Sequence, residues 1–443
     1  MNTKTFPLSK DQLEALSNQY PTPFYLYDED AIRKNVRQMT AAFSVFPGFK
    51  QHFAVKTLPN PYILKILASE GIGADCSSLP ELLLADMIGM KGENIMLTSN
   101  ETPSREYIKA RELGAIINLD DFTNIAYLER ALAKSGGLPE LVSCRYNPGP
   151  LMDGNDIIGK PGEAKYGFTR EQIIEGYKLL KEKGVKRFSL HIMVASNELN
   201  LDYHLETGRL LFELALEIKT KCGISMEFVN LGGGIGIPYS PEQEAVSWEA
   251  LAKGLKELYD KIIVKGGLGN IAIHSEYGRR ITGPYGWLVS RAIHKKEIYR
   301  NYIGIDASMA DLMRPAMYGA YHHITIPGKE NAPHEKTYDI VGNLCENNDK
   351  FAIQRKLPEI EVAADCEAYG KTNGANGGFA RGDFVVIHDA GAHGRAMGFN
   401  YNGTLRCGEL LLRPDGSIVQ IRRAETAEDY FATLDLNGLE GFV

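Results

Sequence analysis

Long apolar runs, paired cysteines and a surplus of either charge are all missing from this 443-residue sequence, and each absence removes a class of protein. No stretch approaches the roughly 18 apolar residues that a helix needs to cross a bilayer, so no membrane association is expected. The opening MNTKTFPLSKDQLEALSNQY lacks the apolar core of a secretory signal, which predicts a cytoplasmic location. Cys76, Cys144, Cys222, Cys345, Cys366 and Cys407 form neither CxxC pairs nor Cys/His ligand spacing. A disulfide framework and a structural zinc are therefore both disfavoured, and no metal is expected. With 49 basic against 56 acidic residues, the net charge of -7 offers no field for a polyanion and sets nucleic acid aside. Internal repeats and low-complexity tracts are absent too.

What remains is the composition of a soluble globular protein, long enough for two domains. Eight short β-rich runs occur between residues 50 and 276: KQHFAV, IGADC, NIMLTS, AIINL, LVSCRYN, FSLHIMV, MEFVNL and NIAIHSE. Between them stand amphipathic stretches such as PYILKILASEG, LPELLLADMIGM, TNIAYLERALAKSG and EQIIEGYKLLKEKG, with apolar residues three and four apart. Eight βα units in this span predict an α/β fold with a closed (β/α)8 TIM-type barrel over residues 28–285. After residue 290 the texture changes to short extended runs (YIGID, YHHITI, TYDIV, FVVIHD, ELLL, SIVQIR) broken by Gly, Pro and Asn. Residues 286–443, joined by 1–27 with PFYLYD, are expected to form a mainly β C-terminal domain. A Gly- and Asn-rich stretch over 363–381 predicts a mobile loop.

In such barrels chemistry collects where strands end, and phosphate is often held after strands seven and eight. Three places answer to that rule. Lys56 closes the first run, in HFAVKTLPNP. Gly232, Gly233 and Gly234 of NLGGGIGIPY follow the seventh, and Glu276, Gly278 and Arg279 of HSEYGRRITGP follow the eighth. A glycine turn lets backbone N–H groups approach phosphate oxygens, and an amine facing it suits a cofactor that carries both a phosphate and an aldehyde. Taken singly, the glycines also fit a plain tight turn and Lys56 a surface lysine.

Ten segments carry a resemblance that spans nearly the whole chain: PTPFYLYD, FAVKTLPNP, ADCSSLPEL, RYNPG with KYGF, LGGGIG, EYGRRITGP, DASMADLMRPAMYGAYHH, VGNLCENNDKF, DAGAHGRAMGFNYN and IRRAETAEDYF. In this order they resemble the alanine racemase-like, barrel-type pyridoxal enzymes, and among these the diaminopimelate decarboxylases. The resemblance implies pyridoxal 5'-phosphate as cofactor, held covalently by Lys56. It places Asp75, Ser196, Gly232, Gly233, Gly234, Gly278, Arg279 and His393 around the cofactor, with Glu276 paired to the pyridine nitrogen. Cys345 is implied as proton donor, and Cys345 and Glu346 as residues that enter the site of a second subunit in a homodimer with shared active sites.

A diaminopimelate carries a second amino-acid head, so its site needs a planar cation for the distal carboxylate and an anion for the distal ammonium. Arg314 and Tyr318 of DLMRPAMYG, with Arg279, would serve the first need and Glu346 the second, while His393 stands where the family's tyrosine contacts cofactor and substrate. The reaction so implied is decarboxylation of meso-2,6-diaminopimelate to L-lysine. The pattern departs from the family in four places. Met193 stands for the ring-stacking histidine, Ala195 for a glycine, Tyr277 for the proline of EPGR, and His393 for a tyrosine. A related decarboxylase of ornithine, lysine or carboxynorspermidine, a racemase on the same barrel, and a non-catalytic binding protein are the competing readings.

Overall fold

The computed structural model describes residues 4–153, 159–363, 382–437 and 439. The Gly/Asn-rich stretch, apart from residue 363, and Cys366 lie outside the described residues. The chain divides into two compact units, one of residues 30–238 with 242–284, the other of 1–29, 239–241 and 285–443.

The first unit is the expected closed barrel. Counting strands from β1 (Phe24–Asp28), its eight members are β2 (Lys50–Ala54), β3 (Gly73–Cys76), β4 (Ile95–Thr98), β5 (Ile116–Leu119), β6 (Leu141–Tyr146), β7 (Arg187–Ile192), β8 (Phe228–Asn230) and β9 (Ala272–Ser275). All pair in parallel, and β9 returns to β2 with Lys50 opposite His274 and Gln51 opposite Ser275. The strands are buried on both faces, as parallel strands under a coat of helices must be, which is why they read as continuous apolar runs. The helices start where the sequence supplies partners for orphan N–H groups. Asn60 caps Pro61–Ser69, and Thr169 with Gln172 makes a reciprocal box before Arg170–Glu182. The longest, Leu201–Cys222, ends on Gly223 with φ of 61°, a conformation glycine adopts without Cβ strain.

Near the strand starts the interior is filled by Met96, Ile116, Leu141 and Phe228. The ring of His274 stacks on Phe228 at 3.8 Å and lies 5.3 Å from that of His52. Burial lowers His52 to about 4, although it bonds the Glu93 carbonyl, and lowers His274 to about 2 with help from His52. This end of the barrel is a plug of neutral rings.

The second unit is mainly β. Its strands are β1, β10 (Gly286–Glu297), β11 (Asn301–Ile305), β12 (Ile324–Thr325), β13 (Lys336–Val341), β14 (Lys350–Leu357), β15 (Phe384–Ile387), β16 (Gly408–Leu412) and β17 (Ile418–Arg422). The main sheet order is β14-β13-β11-β10-β1-β16-β17, with β15 joined to β10 and β12. Strand β1, from PFYLYD, runs antiparallel to β10 and parallel to β16. Leu13, Phe24, Leu26, Trp287, Val289, Phe384, Val386 and Leu410 form its core. Each large side chain contributes about 1.5–3 kcal/mol by leaving water, so Leu26→Ala costs about 2–5 kcal/mol once the cavity is included.

Candidate active site

Within the barrel unit, the polar side chains gather at the strand C-termini. Lys56 lies in a short 3-10 turn, Val55–Thr57, just past β2, and its side chain is exposed. Asp75 sits in β3, Thr98 ends β4, and Glu276 follows β9 directly. The structure ends β6, β7 and β9 one or two residues earlier than the sequence suggests. Asn147, Met193 and Glu276 lie just beyond the strands, where the loops begin.

Glu276 is buried, and its carboxylate is held from three sides. His191 Nε2 lies 3.0 Å from Oε2, while Asn230 Nδ2 and Thr98 Oγ1 donate to Oε1 at 2.7 and 3.4 Å. Burial would raise this acid, yet His191, His52 and Lys56 hold it below the ordinary carboxylate range. At Asp75 the balance runs the other way. Burial and then Glu276 push its carboxyl well above its ordinary value, against the pull of Lys56. The two neighbouring acids are thus pushed in opposite directions, one toward the charged form and the other toward the neutral form.

The loops after β7 and β8 run side by side. Glu198 N–H donates to Gly234 O at 2.9 Å, and Gly236 N–H returns to Glu198 O at 2.8 Å. Gly232 and Gly234 have φ of 64° and 99°, and a Cβ there would stand 2.2 Å from Ile192 O and 2.6 Å from Ala195 O. Only glycine fits such a close approach of two backbones. Gly232 N–H is taken by Asn230 Oδ1 at 2.9 Å, so Gly232 shapes the turn. Gly233 N–H faces Met193 Sδ at 3.3 Å, and Arg279, at the start of the short helix after Gly278, donates to Ser196 Oγ at 3.4 Å. Met193 is fixed in turn by Arg145, which donates to its carbonyl at 3.2 Å, packs 3.7 Å over the Tyr166 ring and faces Asp120.

The β unit carries a second group of expected site residues. Arg314 opens a short helix, Arg314–Tyr318; its buried guanidinium meets His322 Nε2 at 2.8 Å and lies 4.5 Å over the Tyr239 ring. His322 Nδ1 is 2.7 Å from the His388 carbonyl, so Nδ1 is the protonated nitrogen and Nε2 accepts from Arg314. Tyr318 is exposed, as is Cys345, whose N–H donates to Asn402 Oδ1 at 2.9 Å. Half-buried Glu346 accepts from Asn348 N–H at 3.1 Å, and Asp349 ties this loop to Met309 N–H at 2.7 Å. His393 is half-buried with φ of 54°, in the same DAGAHG turn as Asp389 at 57°.

An amine, a buried acid and a glycine turn at the strand ends of a closed barrel are features that suit a phosphorylated aldehyde. Residues 29–283 match the family profile of the pyridoxal-dependent decarboxylase, pyridoxal binding domain, and the chain belongs to that family. It is 39% identical to Protein TabA of Pseudomonas amygdali pv. tabaci over 99% of this chain and 96% of that protein. It is 32% identical to the diaminopimelate decarboxylase of Methanothermobacter thermautotrophicus over 94% and 92%. Among solved structures, the diaminopimelate decarboxylase of M. jannaschii in complex with L-lysine superposes with a TM-score of 0.85 at 28% identity, covering 96% and 94%.

The cofactor is pyridoxal phosphate, and the barrel residues fit it. Asp75 Oδ1 is buried without a hydrogen-bond partner among the described residues, as a group awaiting a polar ligand would be. A Cβ at Gly232, Gly233 or Gly234 would meet a backbone carbonyl oxygen within 2.8 Å, so the turn is bare backbone, which suits the approach of a phosphate. His191, Asn230, Thr98 and Arg145 escaped the reading of the sequence. Their common signal was a polar residue near the C-terminal end of an otherwise apolar barrel strand.

Proposed function

We propose that the chain decarboxylates meso-2,6-diaminopimelate to L-lysine and carbon dioxide. When bound, pyridoxal phosphate supplies an electron sink for the pair released as the carboxylate leaves. Lys56 holds the cofactor aldehyde. Glu276, kept ionised by its partners, holds a proton on the ring nitrogen, and Asp75 lies beside it. Ser196, Gly233, Gly234, Gly278 and Arg279 take the phosphate, and Met193 covers a ring face with its polarizable sulfur. Cys345 Sγ returns a proton to the substrate carbon that lost its carboxylate, and Glu346 receives the distal ammonium. Both act in the site of a second copy of the chain, making a homodimer. His393 contacts cofactor and substrate.

The observation that carries the substrate is Arg314. Its planar cation is buried, held by a neutral His322 and backed by Tyr239, which suits bidentate capture of a distal carboxylate. Tyr318 and Arg279 assist. A second reading is favoured by Met193, Ala195, Tyr277 and His393 and by the higher identity to Protein TabA: a decarboxylase of another diamino acid or polyamine precursor. Incubating the loaded protein with meso-diaminopimelate, lysine, ornithine and carboxynorspermidine, and following carbon dioxide and amines, separates the two. Lysine and carbon dioxide from diaminopimelate alone support the first reading; turnover of another compound instead overturns it.

A further inference from the structure

Three hydrogen bonds in the barrel close a circuit. Asn230 Nδ2 donates to Glu276 Oε1 at 2.7 Å, Gly232 N–H donates to Asn230 Oδ1 at 2.9 Å, and Glu276 N–H donates to Gly232 O at 2.7 Å. Asn230 is fully buried at the end of β8 and fills its remaining space against Met96 Sδ at 3.2 Å. An amide is suited to this place because it presents a donor to the carboxylate and an acceptor to the backbone from one rigid plane. The circuit joins the turn beside the phosphate to the acid opposite the ring nitrogen, two ends of one small molecule.

We propose that Asn230 is a positioning residue that couples cofactor anchoring to cofactor protonation, so that the phosphate turn and the Glu276 carboxylate are set as one unit. The proposal rests on the cofactor seating given above. Through Oδ1 the side chain fixes Gly232 in its left-handed conformation before any phosphate arrives. Through Nδ2 it aims the Glu276 carboxylate and stabilises its charge, a bond to an ionised group being stronger than a neutral one. A side chain that merely satisfied buried groups would contribute to folding and leave the cofactor's two ends independent.

The test uses the full-length protein freed of cofactor, without substrate. Dissociation constants are measured for pyridoxal phosphate, for pyridoxal, which lacks the phosphate, and for the 1-deaza analogue of pyridoxal phosphate, in which carbon replaces the ring nitrogen. The parent is expected to discriminate against both altered ligands. Asn230→Ala should shrink each discrimination ratio by about tenfold. Asn230→Ser keeps a hydroxyl acceptor for Gly232 N–H but cannot reach Glu276. It should hold the phosphate ratio within about threefold and lose the ring-nitrogen ratio, and it decides alone if the alanine variant does not fold. A fall in Tm with both ratios unchanged overturns the proposal, as does a change in only one ratio for Asn230→Ala. A parent indifferent to the ring nitrogen overturns instead the Glu276 assignment beneath it, a failure visible before any variant is made.

Discussion

The two ends of the barrel bury the same kinds of side chain and obtain opposite chemistry from them. Near the strand starts, His52 and His274 lie against an aromatic ring, and burial strips them of charge. Near the strand ends, His191 lies 3.0 Å from a carboxylate that stays ionised in spite of burial. The difference is the company each group keeps. A carbonyl and an aromatic face leave an imidazole neutral, whereas an imidazole, an amide and a hydroxyl converging on Glu276 replace the water it lost. Depth alone makes a plug; depth with directed partners makes a tool.

Breaking the strand-end group should have the largest consequence. Lys56→Ala is expected to remove the visible absorption of the loaded protein and to cut carbon dioxide release to below about one ten-thousandth of the parent. Glu276→Gln keeps the shape and removes the charge, so kcat should fall by about 10²–10³ while the cofactor remains bound, as read from turnover and from the spectrum. Retained turnover in either variant would erase the contrast between the two ends.

At the other end the expected effects are on stability. His52 and His274 have folded pKa values depressed below that of a free imidazole, so the unfolded chain binds the extra protons. Their stabilisation is complete above about pH 6.5 and is lost as the pH falls toward the folded values, by about 2 kcal/mol per ring at pH 5. His52→Leu should therefore shrink the difference in unfolding free energy between pH 7 and pH 5 by about 2 kcal/mol in urea titrations. Smallest of all is Arg187→Ala. This half-buried arginine at the start of β7 bridges Glu93 and Glu227, and its loss should cost less than about 1 kcal/mol, fading further with salt.

The barrel was legible in the sequence because its strands are short β-rich runs separated by amphipathic stretches, and all eight lie where they were expected. The pairings of the β unit were not. That β1 lies between β10 and β16 depends on contacts hundreds of residues apart, which no local pattern encodes. That Lys56, Glu276 and the glycine turn lie at strand ends was legible because each follows a β-rich run of the barrel. His191 and Asn230 sat unnoticed inside two correctly located runs, because their importance comes from sharing one carboxylate. His322 and Tyr239 were hidden for another reason: Tyr239 comes from the stretch after β8 yet belongs with the β unit, beside an arginine far along the chain.

Closure of the barrel by Lys50 against His274 brings the first and last of its strands together, and with them Lys56 and Glu276. On the ribosome these emerge far apart in time, the lysine while most of the chain is still unmade. A nascent polypeptide can expose that amine but has no completed pocket around it until the eighth strand has left the exit tunnel and docked. On the cofactor seating proposed above, vitamin loading is an event of the finished barrel, and a truncated translation product carries Lys56 with nothing to hold the vitamin in place.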